Sequence, residues 1–185
     1  MATKGQILIN AETGDEYEFI ETAKDTLGKS LKIRLKAFTK GELVPNHFHA
    51  LQDEHFEVLN GELTVFLNGE KKQIKAGESI TLHKNIPHNH YNSLDEPLEY
   101  IHTVTPALDF ELIYENIFGL TQDGKMKNGK AGLVQELVTL KYLDSKSYLA
   151  DIPVGVQKFL MNTIAPIARS FGYRAAYKKY SGIEK

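Results

Sequence analysis

The sequence holds no cysteine. That absence excludes disulfide scaffolds, thiolate zinc sites, iron–sulfur clusters and cysteine nucleophiles. It fits a reducing compartment, and a cytoplasmic location is the expectation. Positive charge is not in excess: 22 Lys and Arg stand against 24 Asp and Glu, for a net charge of −2. General nucleic-acid binders carry a basic excess, so nucleic acid is not an expected partner. No uncharged apolar run reaches the ~18 residues of a membrane-spanning helix. Met1 to Asn10 has a single Lys and no long apolar stretch, so no secretory signal is expected.

What is present describes an ordinary soluble chain. Its 185 residues are 42% hydrophobic and 25% charged, values typical of globular proteins. The length suits one domain with an appended element. The charge is unevenly spread. From Gly155 onward Lys158, Arg169, Arg174, Lys178, Lys179 and Lys185 face Glu184 alone, so a basic tail follows an acidic body.

Residues 1 to about 105 read as short strands and turns. Ile7–Ile9 and Tyr17–Ile20 are brief apolar stretches. Leu31 to Phe38 alternates, which puts Leu31, Ile33, Leu35 and Ala37 on one face. Phe56–Leu59 and Leu63–Leu67 flank Asn60-Gly61, and Asn68-Gly69 follows. Both dipeptides are hairpin signals. Gln73–Lys75, a turn at Ala76-Gly77-Glu78, Ser79–Leu82 and Leu98–Val104 complete the series. Many short strands with turns at this spacing indicate a β-sandwich or barrel.

Beyond Pro106 the periodicity becomes helical. Ala107–Phe118 and Gly132–Leu143 suit helices, with a polar loop over Asp123–Gly129 between them. Asp151 is positioned to cap a third helix with Pro153 in its first turn. Val156, Leu160, Ile164, Ile167 and Phe171 form its expected buried face, and Pro166 should kink it. This helix is expected to pack on its own barrel. An anionic membrane surface is the alternative for its basic residues, although Asn162 and Pro166 interrupt the apolar face.

Most of the seven histidines fall between residues 47 and 90, beside a glutamate. Residues two apart on a strand face the same way. His47 and His49 can therefore offer two imidazoles to one ion while Phe48 points elsewhere. Glu54 lies an odd number of residues beyond His49, so a turn over Ala50–Asp53 must return it to that side. A second cluster holds His83, His88 and His90. By strand parity His90 turns inward with His88, as a candidate acid/base group or as a partly buried structural histidine. His55 should face outward, His83 should be solvated, and His102 has no supporting spacing. Gln52 is a candidate to approach the ion through the turn.

These segments carry a specific resemblance. Gly41, His47, His49, Glu54 and Gly61 stand in register with the first motif of the cupin superfamily. Gly77, His88 and Asn92 stand in register with the second. His83 occupies that motif's proline position and Asn85 its glycine position. Asn85 still suits the turn, because asparagine tolerates the left-handed conformation. The resemblance implies a mainly β fold: a cupin jelly-roll β-barrel over residues 1–118, followed by a helical C-terminal extension over residues 119–185. It further implies that His47, His49, Glu54 and His88 are ligands of one divalent transition metal. Three imidazoles and a carboxylate suit iron, manganese, nickel, copper or zinc. The functions weighed are a mononuclear metal-dependent oxygenase acting on a small organic molecule, a metal-dependent isomerase, and a non-catalytic small-ligand-binding module. A homodimer is expected from the resemblance and from sheet edges that need covering.

Overall fold

The computed structural model describes residues 1–41, 45–126 and 131–185. Glu42 to Val44, inside the first histidine motif, and residues 127–129 of the expected polar loop lie outside the described residues.

Ten strands precede the first helix. They are β1 (Ile7–Ile9), β2 (Glu16–Glu21), β3 (Leu31–Ala37), β4 (His47–His49), β5 (Asp53–Asn60), β6 (Glu62–Leu67), β7 (Glu70–Lys75), β8 (Ser79–Leu82), β9 (His88–Asn92) and β10 (Leu98–Thr105). The helical part consists of α1 (Phe110–Gln122), α2 (Leu133–Tyr142), α3 (Val154–Ser170) and α4 (Lys178–Ser181), with β11 (Ser147–Leu149) between α2 and α3. Two antiparallel sheets face each other, in the orders β1-β2-β3-β10-β5-β8 and β11-β4-β9-β6-β7. The architecture is the expected one, a double-sheet β fold followed by helices.

Alternation along the strands builds the core between the sheets. Leu31, Ile33 and Leu35 of β3 are buried, whereas Arg34 and Lys36 are exposed. Leu98, Tyr100, His102 and Val104 of β10 repeat the pattern. Leu31, Ile33, Leu35, Leu98, Tyr100 and Val104 form one apolar cluster with Phe19, Phe56, Leu63, Val65 and Leu82.

The two Asn-Gly turns behave differently. Asn68-Gly69 joins β6 to β7, paired at Leu67↔Glu70, and both turn residues have positive φ. This is the two-residue hairpin expected there. Asn60-Gly61 is not a hairpin, because β5 and β6 belong to opposite sheets. The left-handed Gly61 turns the chain across the sandwich instead. A Cβ at this position would meet the Pro97 carbonyl oxygen at 2.9 Å. Gly77 makes a similar crossing from β7 to β8.

The helices pack across one end of the sandwich. Helix α1 serves two cores: Phe110, Ile113 and Tyr114 join the barrel cluster, while Leu112 joins a second cluster with Val138, Leu143, Ala165, Ala168, Ala175 and Ala176. Asp109 anchors the join. Its carboxylate accepts the Asp144 and Ser145 amides at 2.7 and 2.8 Å and the Lys185 ammonium at 2.8 Å. Burial opposes its ionisation, but Lys185 and the two amides hold its pKa below the usual range.

Two expectations about the extension are corrected. Pro153, not Asp151, stands at the N-cap of α3, and Asp151 is exposed. The buried face of α3 is Gln157, Met161, Ala165 and Ala168. Of the expected face, Val156, Ile167 and Phe171 are exposed, and Leu160 and Ile164 are half-buried. Alanines let α3 approach α2 closely, which larger side chains would prevent. Gln157 also pins α3 to β11, donating to the Leu149 and Ile152 carbonyls and accepting from the Leu149 amide. Strand β11 and helix α4 have no counterpart in the sequence reading.

The tail's cations fold back on the body. Lys179 pairs with Asp123, Lys185 with Asp109 and Asp144, and Arg174 with Glu184. Lys158 lies over the Tyr148 ring and Arg169 over Tyr142. Among the described residues no helix is long and apolar enough to cross a membrane.

Two glycines give opposite predictions. Ala normally stabilises a helix interior over Gly by about 1 kcal/mol. At Gly155 in α3 a Cβ meets open space, so Gly155→Ala should raise stability by about 0.5–1 kcal/mol. At Gly119 in α1 the Cβ would overlap the Tyr180 ring. Gly119→Ala should therefore destabilise, by about 1–3 kcal/mol. Urea unfolding of both variants checks the sign.

Candidate metal centre

Strand parity and a change of sheet assemble the site. On β4, His47 and His49 point into the sandwich and Phe48 does not. Strand β9 pairs with β4 at His47↔His88, bringing a third imidazole alongside. These three histidines belong to one sheet. Residues 50–52 carry the chain across to the other sheet, where β5 presents Glu54 from the opposite wall. The odd spacing between His49 and Glu54 is thus resolved by a crossing. Asn85 helps to hold the geometry. It adopts the left-handed conformation expected of it, with φ at 63°, and its amide donates to the His49 carbonyl at 2.8 Å.

One nitrogen or oxygen from each of His47, His49, Glu54 and His88 lies within 4.8 Å of all the others. The four side chains are buried, Glu54 to 2% exposure. His47 and His49 Nε2 are 3.2 Å apart, His49 Nε2 is 3.2 Å from Glu54 Oε2, and His88 Nε2 is 2.8 Å from the same oxygen. Two donors bound at right angles on an ion, each at about 2.1 Å, lie about 3.0 Å apart.

Hydrogen bonding behind the rings orients them. His47 Nδ1 is 2.8 Å from the Pro45 carbonyl and His88 Nδ1 is 2.9 Å from the Ile86 carbonyl. A carbonyl only accepts, so both Nδ1 atoms carry the hydrogen. The Nε2 atoms are then left as acceptors, His47 Nε2 beside His49 Nε2 and His88 Nε2 beside Glu54, the arrangement that metal-ligating histidines use. The close approaches to Glu54 are oblique: His102 Nε2 has no hydrogen-bond partner among the described residues, and neither have Glu54 Oε2 and His88 Nε2. Buried polar atoms are normally satisfied. A cation would satisfy Glu54 Oε2 and His88 Nε2, so the donor set fits a metal ion.

The other polar residues of the motif region divide clearly. His55 faces outward and bonds Thr81 Oγ1 at 2.8 Å. His83 is exposed, near Asp53. His90 turns inward as parity requires and rests against Phe56, with ring centroids 4.7 Å apart. Gln52 is buried, and its amide donates to the Pro106 and Ala107 carbonyls at 3.0 and 3.1 Å. It ties the crossing turn to the start of the extension. Sequence reasoning missed His102. This residue lies on β10 in the Glu54 sheet, with Nε2 2.9 Å from Glu54 Oε1. Its position two residues from Tyr100 and Val104 on a buried face was the available signal. A surface groove bounded by Glu16, Glu18, Arg34, Lys36 and Glu99 involves none of these residues.

Burial sets the charges. Desolvation, then the neighbouring His49, pushes His47 down to about 4. Desolvation pushes His90 down to about 3. Burial opposes ionisation of Glu54, but His49, His102 and His88 overcome it and hold the carboxyl well below its ordinary value. Burial thus favours the uncharged form of His47 beside a carboxylate that favours its charged form, a setting that suits a cation.

These shifts predict an acid-labile metal-free protein. Above about pH 6.5, His47 and His90 are neutral folded or unfolded. Below it the unfolded chain takes up protons that the native state refuses. Stability then falls toward pH 4, by up to about 1.4 kcal/mol per pH unit for each histidine. Loss of the Glu54 charge adds to the fall below about pH 4.5. Glu115, buried and raised to about 7, works the other way. Its contribution is present at low pH and lost as pH rises toward 7. The urea midpoint of metal-free protein should drop between pH 6.5 and 4.5, and Glu115→Gln should steepen the drop. A flat profile would contradict the assignment.

The cupin domain family matches residues 35–104. No curated protein matches the chain. Among solved structures it is similar to a predicted oxalate decarboxylase from Thermotoga maritima, with 21% identity over 57% of this chain and 99% of that one, at a TM-score of 0.48. It is similar to KdgF from Halomonas sp., with 20% identity over 59% and 100% of the two chains, at a TM-score of 0.46. It is also similar to a sugar phosphate isomerase of the cupin superfamily from Silicibacter pomeroyi, with 17% identity, at a TM-score of 0.43. That match covers 50% of this chain and 59% of the isomerase. Residues 35–104 of this chain, which include His47, His49, Glu54 and His88, are a cupin domain.

Proposed function

We propose that the protein is a mononuclear metal-dependent oxygenase acting on a small organic molecule. The observation that carries this reading is the convergence of four buried donor atoms within 4.8 Å, contributed by both sheets. His47, His49, Glu54 and His88 would hold the ion. When bound, iron, manganese, nickel, copper or zinc supplies Lewis acidity, and the redox-active ones supply electron transfer.

The chain's own residues prepare the surroundings. Phe110 from α1 packs beside His49 and His102, with ring centroids 5.5 and 5.9 Å away, and excludes water from that side. His90 stays neutral at physiological pH and has an Nδ1 without a hydrogen-bond partner among the described residues. It can hold a hydrogen bond to a small molecule without adding charge. A polar group beside the donors favours turnover over simple storage.

Elemental analysis of purified protein should find about one transition-metal ion per chain, lost in a His47→Ala, His49→Ala double variant. Oxygen uptake with a panel of phenols, diketones and thiols should follow the metal content. Metal without oxygen uptake would move the reading to an isomerase or a small-ligand-binding module, and no metal after reconstitution would overturn it.

The same reading takes the protein as a homodimer. Phe159 and Ile167 on α3 and Phe171 just beyond it are 66%, 63% and 78% exposed, apolar surface that a second chain could cover. Light scattering should give twice the monomer mass, and a Phe159→Glu, Phe171→Glu variant should give the monomer.

A further inference from the structure

Glu54 has two oxygens, and only Oε2 faces the histidines of the opposite sheet. The other, Oε1, lies 2.9 Å from His102 Nε2, an oblique electrostatic contact that leaves Nε2 without an aligned hydrogen-bond partner among the described residues. The second nitrogen of that ring, Nδ1, is 3.0 Å from the Tyr114 hydroxyl. Chemistry orders the hydrogens along this line. An ionised carboxylate only accepts, so His102 carries its hydrogen on Nε2. With the hydrogen on Nε2, Nδ1 is the acceptor, and Tyr114 donates to it. Burial pushes the Tyr114 hydroxyl well above its usual range, which keeps it a donor.

Packing leaves this line little room to move. The His102 ring stacks on Phe56 at 4.5 Å with an 8° tilt, and Phe110 meets it edge-on at 5.9 Å. Tyr114 is wedged between Tyr17 and Phe110, with centroids 5.2 and 5.5 Å away. His102 is 2% exposed. Tyr114 belongs to α1, outside the cupin-domain residues 35–104. Helix α1 therefore reaches the centre of the barrel through one hydroxyl and one imidazole.

We propose that His102 and Tyr114 are positioning residues for the metal centre: they hold Glu54 Oε1 so that Oε2 is presented to the ion. This inference rests on the metal reading above. It gives α1 a function in the site besides covering apolar surface.

The test is metal affinity, read without any assay of turnover. Metal-free wild type, Tyr114→Phe, His102→Phe and the double variant are titrated with Co2+ and Zn2+ against a chelating indicator, and the Co2+ visible spectrum is recorded for each. Loss of one hydrogen bond should weaken binding about three- to tenfold in Tyr114→Phe, which keeps the ring and its packing. Removing the group that orients a ligand should weaken it about 10- to 100-fold in His102→Phe, with a shifted Co2+ spectrum. The double variant should bind no more weakly than His102→Phe, because Tyr114 acts only through His102. Additive losses would overturn the relay. Unchanged affinity and spectrum in both single variants would overturn the whole inference, whatever happens to their melting temperatures. His102→Gln, which restores a donor toward Glu54, should recover part of the affinity if that variant folds. Tyr114→Phe alone remains decisive if the His102 variants do not. A wild type that takes up neither metal would overturn the metal reading, and this inference with it.

Discussion

A carboxylate buried at the centre of a β-sandwich is the constraint around which this molecule is arranged. Glu54 is 2% exposed and ionised. Burying a lone carboxylate costs several kcal/mol, so such groups persist only with compensating partners. Here the partners are imidazoles: His49 and His88 from the facing sheet, and His102 from the next strand of its own. The rings offer nitrogen atoms to the carboxylate, and its negative charge suits a cation. The position of Glu54 depends on two things. One is the crossing at residues 50–52, which moves the chain from one sheet to the other. The other is the β5–β10 register, which pairs His102 with Phe56 and Val104 with Glu54 and so places His102 on a diagonal from Glu54.

The extension is more than an appendage to this arrangement. Its first helix is amphipathic in two directions, with one side in the barrel core and the other among the remaining helices. Asp109 joins them electrostatically by gathering two amides and the Lys185 ammonium. Strand β11 lies antiparallel to β4 and pairs His49 with Ser147 and His47 with Leu149, so it braces the strand that carries two of the candidate ligands. The tail's cations are engaged by Asp123, Asp109, Asp144, Glu184 and two tyrosine rings. Five of the six tail cations thus have a partner within the chain, carboxylates for three of them and aromatic rings for two.

Local rules carried much of the sequence reading. The alternation of Leu31, Ile33 and Leu35 is a two-residue period, and the strand buries those residues. His47 and His49 share a face for the same reason. Asn85 tolerates a left-handed φ through the chemistry of its own side chain, so that substitution was interpretable without neighbours. The turn dipeptides mark the limit of such rules. Asn60-Gly61 and Asn68-Gly69 have the same local preference, yet only the second closes a hairpin. Whether flanking strands pair or part depends on which other strands compete for their edges, and that information is distant in the chain.

The sequence by itself determined the β character of the first hundred residues, the helical character of the end, and the four donors of the candidate site. Each of these follows from periodicity or spacing within a short window, or from a motif carried by such spacing. Tertiary structure alone decided the rest. Helix α3 buries Gln157, Met161, Ala165 and Ala168 instead of its larger apolar residues, because close approach to α2 favours small side chains and β11 offers Gln157 a set of partners. His102 meets Glu54 only because β10 lies beside β5, and Tyr114 meets His102 only because α1 folds back over that pair. A residue's chemistry is written at its own position, whereas its partners are set by a packing that minimises buried, unpaired polar groups over the whole chain.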